Sequence, residues 1–168
     1  MSIFIQTPRL ILRPFTLADA KDYYKITRDP DIKKYVSYAC PDSLSETIEN
    51  IKSCYSQADF ERDFYLVIEE RRTGKIIGAL SLTENFTMEY YEVCYFIDKK
   101  NRRSGYMKEA LSYFLNSIST EEKIVFVINE TNLSSLNLMK KFANIEDVTK
   151  QYQHILPPDE KMFCYNNP

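Results

Sequence analysis

Between Tyr90 and Ile118 the chain alternates apolar and polar positions and then changes period. Over YYEVCYFI, Tyr91, Val93, Tyr95 and Ile97 fall on one face of a strand, and Glu92, Cys94 and Phe96 on the other. After Gly105, Met107, Ala110 or Leu111, Phe114 or Leu115, and Ile118 recur every three to four residues, the stripe of a helix packed on a sheet. The same two periods organise the rest of the chain. Phe4-Ile5 and Leu10 to Arg13 read as a first strand broken by Pro8 and ended by Pro14. Thr16 opens a helix using Leu17, Ala20, Tyr23, Tyr24 and Ile26; it stops at Asp29-Pro30, where another short helix begins. Ser43 to Gln57 predicts a further helix, with Leu44, Ile48, Ile51 and Tyr55 as its stripe and Ser43 and Glu46 at capping-box spacing.

Phe64 to Glu69 and Lys75 to Leu82 predict two strands around Arg71-Arg72-Thr73-Gly74, with Gly74 at the positive-φ position and the arginines at a solvated tip. Lys123 to Ile128 is almost wholly apolar, as in a strand covered on both faces. Ser134 to Phe142 reads as a helix, and Val148 to Ile155 and Lys161 to Tyr165 as two strands around Leu156-Pro157-Pro158-Asp159-Glu160. Strands and helices so interleaved predict an α/β chain.

Length and composition narrow this to one compact domain over 1–168. A chain of 168 residues buries roughly two thirds of its unfolded surface and needs no second core. Its 22 Lys plus Arg against 24 Asp plus Glu give a net charge of -2, which argues against bulk attraction to nucleic acid. Cys40, Cys54, Cys94 and Cys164 contain no C-x-x-C pair, and no secretory leader precedes Thr7-Pro8, so free thiols in the cytoplasm are expected. No apolar run approaches the roughly 20 residues that span a bilayer. No metal cluster has recognisable spacing, so no metal is expected.

The candidate chemistry lies where the central strand turns into its helix. A helix start leaves N–H groups unpaired and carries the positive end of the macrodipole. Lys99, Lys100, Arg102 and Arg103 crowd that turn, so the expected ligand is an anion, and phosphate in particular. Solvated lysines beside a turn glycine are the plain structural alternative. RRSGYM has neither the dinucleotide-loop spacing nor a Gly-Lys-Ser/Thr, which argues against NAD and a Mg-bound nucleoside triphosphate.

Arg102-Arg103-Ser104-Gly105-Tyr106-Met107, followed by Glu109-Ala110-Leu111, resembles the acyl-CoA loop Gln/Arg-x-x-Gly-x-Gly/Ala of the GNAT superfamily of N-acetyltransferases. Asn132 to Lys141 resembles that family's Asn-x-x-Ser/Ala-x-x-Leu-Tyr/Leu-x-Lys segment. The opening TPRLILRPFTLADA and Asp29-Pro30-Asp31 resemble its ribosomal-protein N-terminal acetyltransferase branch. The likeness implies a mixed, mostly antiparallel central sheet with helices on both faces. It implies acetyl-CoA as co-substrate and an amine acceptor, a protein N-terminal α-amine or a small metabolite amine, with a homodimer left open.

For the cofactor, the resemblance implies Arg102, Arg103, Ser104, Gly105, Tyr106, Met107, Asn132 and Ser135, with backbone N–H groups around Phe96 and Ile97 on the acetyl carbonyl. Asn132 with the following serines is equally a helix cap. Glu92 is the candidate base; binding the acceptor ammonium, or pairing with a basic residue, are its alternatives. The helices after the first strand would wall the acceptor cleft, with Tyr35, Tyr38 and Asp42 as candidate wall residues beside a plain half-buried role.

Arg103 stands where a second glycine is common, Met107 where a small residue is usual, Met139 where the superfamily's general-acid tyrosine falls, and Ala143-Asn144 where Gly-Phe is usual. These departures keep two other readings open, a silent acyl-CoA sensor and a nucleic-acid-associated protein using Lys99 to Arg103. His154, expected in a late strand, makes a Cys-His arrangement with Cys94 or Cys164 conceivable but weak. Gly105 is expected either to give close access to phosphate in helical φ/ψ, tolerating Ala, or to meet a positive φ.

Overall fold

The computed structural model describes residues 4–55, 63–118, 120 and 122–166, without the side chains of Cys54 and Tyr55; Gln57, the expected end of the third helix, lies outside the described residues. The described residues of 1–82 and 94–119 form one compact unit, and those of 83–93 and 120–168 a second. The fold is mixed α/β, with a largely antiparallel sheet flanked by helices.

In the first unit, β1 (Ile5–Gln6) and β2 (Leu10–Pro14) are two antiparallel strands with Ile5 opposite Leu12, where one interrupted strand was expected. Thr7 folds the chain back: its N–H donates to the Leu10 carbonyl at 2.9 Å and its Oγ1 accepts the Leu10 N–H at 2.8 Å. Pro8 sits inside this turn, where no backbone donor is required. A short 3₁₀ turn, Leu17–Asp19, leads into α1 (Ala20–Thr27). Asp29 caps α2 (Pro30–Tyr35) by accepting the Asp31 N–H, and Ser43 caps α3 (Leu44–Asn50) by accepting the Glu46 N–H. A wider π turn, Ile51–Tyr55, continues α3.

Strands β3 (Phe64–Glu70) and β4 (Lys75–Asn85) form the expected hairpin, with Gly74 at φ +65°. β5 (Tyr90–Ile97) gives its first half to the second unit and its second half to the first, and α4 (Tyr106–Ser117) follows. The strand order of this unit is β1-β2-β3-β4-β5. In β3, Leu66, Val67 and Ile68 are all fully buried, so both of its faces are covered. Val67, Ala79 and Phe96 join Phe15, Tyr23, Ile26 and Ile51 in one core, while α4 packs against β1 and β2.

In the second unit, Tyr90 to Glu92 pair in parallel with Lys123 to Val125 of β6 (Lys123–Asn129). Then come α5 (Leu133–Met139), β7 (Ile145–Asp147), α6 (Thr149–Tyr152) and β8 (Glu160–Tyr165), in the strand order β5-β6-β8-β7. Val148 to Ile155 is therefore not a strand. The Asp147 carboxylate accepts the Thr149 N–H at 3.0 Å and its hydroxyl at 2.6 Å, an Asx turn that ends β7 and starts a helical turn. His154 is consequently exposed in the turn after α6. Among the described residues no helix is long and apolar enough to cross a membrane.

One ion cluster fixes the entrance to α1. Arg13 donates to both oxygens of Asp19, at 2.8 and 2.9 Å, and through Nε to Glu69 at 2.8 Å. Asp19 also accepts the Thr16 N–H at 2.7 Å. Burial alone would raise the Asp19 pKa, but the bonds from Arg13 and Thr16 outweigh it and hold the carboxyl below its ordinary value. Removing one partner of such a pair leaves an uncompensated charge at a cost of about 3 kcal/mol. Asp19→Asn is expected to lose about that much in urea unfolding at neutral pH. Because the folded pKa is depressed, the contribution is present above the unfolded pKa of about 4 and disappears as pH falls through the folded one. The gap between variant and wild type should therefore narrow below about pH 4; a gap of constant size down to acid would refute this account.

Candidate active site

The turn before α4 is built by two left-handed residues. Gly105, at φ +79°, occupies the N-cap of α4, and Arg103 stands at φ +60°. Of the two readings of Gly105, helical φ/ψ or a positive φ, the backbone takes the second. A Cβ there would meet only an Arg9 guanidinium nitrogen at 3.5 Å, so the constraint is backbone conformation rather than space. It also gives the position of Arg103 a physical meaning: a glycine is common where the backbone is left-handed. Among the described residues no side chain caps α4, so its first N–H groups remain available to an anion.

The turn is held from outside, by residues that periodicity does not single out. Arg9 donates through Nε to Glu109 at 2.6 Å and through Nη1 to the Ser104 carbonyl at 2.9 Å, with its guanidinium 4.3 Å from the centre of the Tyr106 ring. Glu109 also accepts the Thr7 hydroxyl at 2.6 Å and the Arg9 N–H at 2.9 Å. The Tyr106 hydroxyl donates to Glu70 at 2.7 Å. Arg71, expected at a solvated tip, instead donates to the Thr7 and Pro8 carbonyls at 2.9 and 3.1 Å. The signal that could have found these residues is the Thr-Pro-Arg opening, which places a donor and a cation beside a turn.

Arg102 points its guanidinium at the 29–31 turn, donating to Asp29 at 2.6 Å and Asp31 at 2.9 Å, while its Nε reaches the Ile97 carbonyl at 3.3 Å. Lys99, Lys100 and Arg103 are exposed, Met107 is buried, and Ser104 contributes its carbonyl to Arg9. Phe96 and Ile97 lie in β5 past Tyr90–Glu92, the stretch that pairs with β6. Gly78 sets the position of that strand, because a Cβ at 78 would overlap the Phe96 carbonyl oxygen. Tyr38 and Asp42 are exposed, and Asp42 accepts from Lys33 at 3.3 Å.

The second unit holds the other candidates. Glu92 is partly buried; burial first, and the nearby Glu160 carboxylate second, raise its pKa. Among the described residues no basic side chain pairs with it. Asn132 accepts the Ser135 N–H at 3.2 Å, the capping role the sequence left open, and this leaves its amide NH₂ without a partner among the described residues. Met139 is fully buried in the core. Burial raises the Cys164 thiol pKa, which works against a thiolate nucleophile.

The family model described as acetyltransferase (GNAT) domain matches residues 9–143. The chain is similar to the uncharacterized N-acetyltransferase YoaA of Bacillus subtilis (strain 168), at 25% identity over 98% of this chain and 97% of that protein. Among solved structures it resembles a GNAT-family acetyltransferase from Bacillus anthracis, with a TM-score of 0.77 at 18% identity over 96% of this chain and 97% of the other. A putative ribosomal-protein-serine acetyltransferase from Vibrio cholerae superposes with a TM-score of 0.73 at 19% identity over 99% and 98%. Spermidine and microcin C7 self-immunity acetyltransferases reach TM-scores of 0.69 and 0.74. The likeness thus spans several branches and does not single out the ribosomal one.

Two substitutions test the turn. Gly105→Ala is expected to lower stability by about 1 kcal/mol, since a Cβ disfavours the left-handed region. Arg103→Gly relieves the same strain and should be neutral to stabilising by up to about 1 kcal/mol, the loss of chain entropy offsetting part of the gain. Urea midpoints at unchanged m-value measure both; an Ala variant at 105 as stable as wild type contradicts the positive φ.

Proposed function

The chain belongs to the acetyltransferase (GNAT) domain family, and from that premise we propose that it transfers an acetyl group from acetyl-CoA to a primary amine. The observation that carries this reading is the family match over 9–143, which includes a strand-turn-helix whose helix start is uncapped and whose turn is fixed by Arg9 and Arg102. Such a start suits a pyrophosphate: orphan N–H groups and the dipole favour negative charge, and Lys99, Lys100 and Arg103 add to it. In the same reading, the free amide NH₂ of Asn132 donates to a carbonyl of the pantetheine arm, and Ser135 supports it.

In the reaction, the acceptor ammonium loses a proton and its nitrogen forms a C–N bond to the thioester carbon. The C–S bond then breaks and the thiolate leaves with the electron pair. We assign the proton to Glu92, directly or through water. A carboxylate whose pKa is raised by burial is a stronger base than an ordinary glutamate, and it has no competing cation among the described residues. Backbone N–H groups around Phe96 and Ile97 would stabilise the oxygen on which charge develops.

For the acceptor, a protein N-terminal α-amine and a small metabolite amine are both within this chemistry. The TPRLILRPFTLADA opening does not decide between them, because Arg9, Arg13 and Asp19 are accounted for by contacts that hold the fold together. The acceptor is assigned by thiol release with a panel of N-terminal peptides, polyamines and aminoglycosides.

Acetyl-CoA at 100 times its Kd is expected to stabilise the protein by about 2.7 kcal/mol; no shift at millimolar ligand overturns the reading. Stabilisation without thiol release from any amine would point to a silent acyl-CoA sensor. With an accepted amine, Glu92→Gln should keep acetyl-CoA affinity and lower kcat by on the order of a hundredfold. The wild-type rate should fall on the acid side through a pKa above that of an ordinary glutamate, as the base protonates, and the Gln variant should lose that limb. An effect confined to the amine's KM would instead make Glu92 an ammonium ligand.

A further inference from the structure

The Asp29-Pro30-Asp31 segment caps α2 and also receives the side chain of Arg102, 73 residues from Asp29 and 71 from Asp31. Both oxygens of Asp29 are used: Oδ1 accepts the Asp31 N–H at 3.0 Å and Oδ2 accepts Arg102 at 2.6 Å. Pro30 at the first helical position fixes the approach. Three of the five N–H groups of Arg102 are consumed, by Asp29, by Asp31 and by the Ile97 carbonyl. The Asp29 side chain is 12% exposed, Arg102 30% and Asp31 61%. The Asp29 bond is therefore the one protected from solvent, and the Asp31 bond the weak one.

The backbone that follows cannot keep its shape unaided. After Arg102, in extended conformation, the chain passes through left-handed Arg103 and left-handed Gly105 into a helix without a side-chain cap. A non-glycine residue at φ +60° costs on the order of 1–3 kcal/mol and persists only where its surroundings hold it. Arg9 holds the far end of this stretch at the Ser104 carbonyl, and Arg102 holds the near end. Released at the near end, Arg103 can relax to an ordinary conformation, and the donors at the helix start turn with it.

We propose that Asp29, with a lesser contribution from Asp31, is a positioning residue for the anion-binding turn, acting through Arg102, whose guanidinium anchors the turn rather than gripping phosphate. The proposal rests on the reading of this turn as the acetyl-CoA site. It also gives a mechanical link between α2, on the acceptor side in the family likeness, and the cofactor turn, both within one compact unit.

The test is a double-mutant cycle on acetyl-CoA binding, measured by equilibrium dialysis well below the unfolding temperature and by KM against kcat. Asp29→Asn and Arg102→Gln should each weaken acetyl-CoA binding about tenfold, and the double variant should be no weaker than either single one. Arg102→Lys should behave like Arg102→Gln, because one ammonium cannot span Asp29, Asp31 and the Ile97 carbonyl together. Asp31→Asn, exposed and safe for folding, should weaken binding about twofold. The losses should appear in the KM for acetyl-CoA, with kcat kept; Asp19→Asn, destabilised elsewhere, should leave that KM unchanged. If Arg102 grips phosphate directly, Asp29→Asn frees it and binding tightens or holds, and Arg102→Lys retains affinity; either outcome, or a double variant weaker than both single ones, overturns the proposal. Wild-type protein that binds no acetyl-CoA overturns the functional reading itself, and the proposal with it.

Discussion

The candidate site depends on Arg9 more than on any residue of its own turn. An α-helix that begins at a left-handed glycine with no capping side chain has little to hold its first turn. Arg9 supplies what is missing, through Glu109 in that turn, the Ser104 carbonyl before it and the face of Tyr106. Burial would raise the pKa of Glu109, yet the bonds from Thr7 and Arg9 outweigh it and keep the carboxyl below its ordinary value. The pairing matters twice. A carboxylate near a helix start is favoured by the macrodipole, but unpaired it would repel an incoming anion. Neutralised by Arg9, it stabilises the helix and leaves the N–H groups in front of it electrostatically open.

Much of this was legible in the chain because it is local. The strand of alternating residues, the glycine turn and the apolar helical stripe from Tyr90 to Ile118 announce themselves by period, and β5 and α4 lie where the periods change. What failed was also local, and in both cases a side chain had redirected the backbone. Pro8 looks like an interruption, but Thr7 bonds Leu10 and turns the interruption into a hairpin. Val148 to Ile155 looks extended, but Asp147 and Thr149 close an Asx turn and start α6. Side-chain to backbone bonds of this kind compete with the strand ladder and leave no periodic trace.

The site itself was legible in its glycine and not in its fastenings. Gly105 was found from spacing, though its φ could not be. Arg103 offered a clue to the left-handed backbone, since a residue that stands where glycine is common inherits the conformation that glycine serves. The partners of Arg102, Arg9 and Arg71 lie on other elements, and no reading of neighbours can pair Arg102 with Asp29 or Arg71 with Thr7. The charged residues nearest the turn were read as ligands for an anion, and the most buried of them, Arg102, also bonds Asp29 and Asp31.

That division extends to the acids and separates scaffold from chemistry. Asp19, Asp29, Glu69, Glu70 and Glu109 each accept a hydrogen bond from a named side chain of their own unit, so their burial is compensated. Glu92 has no such donor among the described residues, and its pKa moves upward, by burial and then by Glu160. A carboxyl whose folded pKa exceeds its unfolded one lowers stability as pH rises above the unfolded value, because the fold then has to hold a charge it does not solvate. At neutral pH the raised pKa of Glu92 therefore works against stability rather than for it. Glu92 and Glu160 stand apart from those five acids: burial raises the pKa of each, and neither accepts a side-chain hydrogen bond among the described residues; in the reading proposed above, that is the environment a carboxylate needs to take a proton from an ammonium.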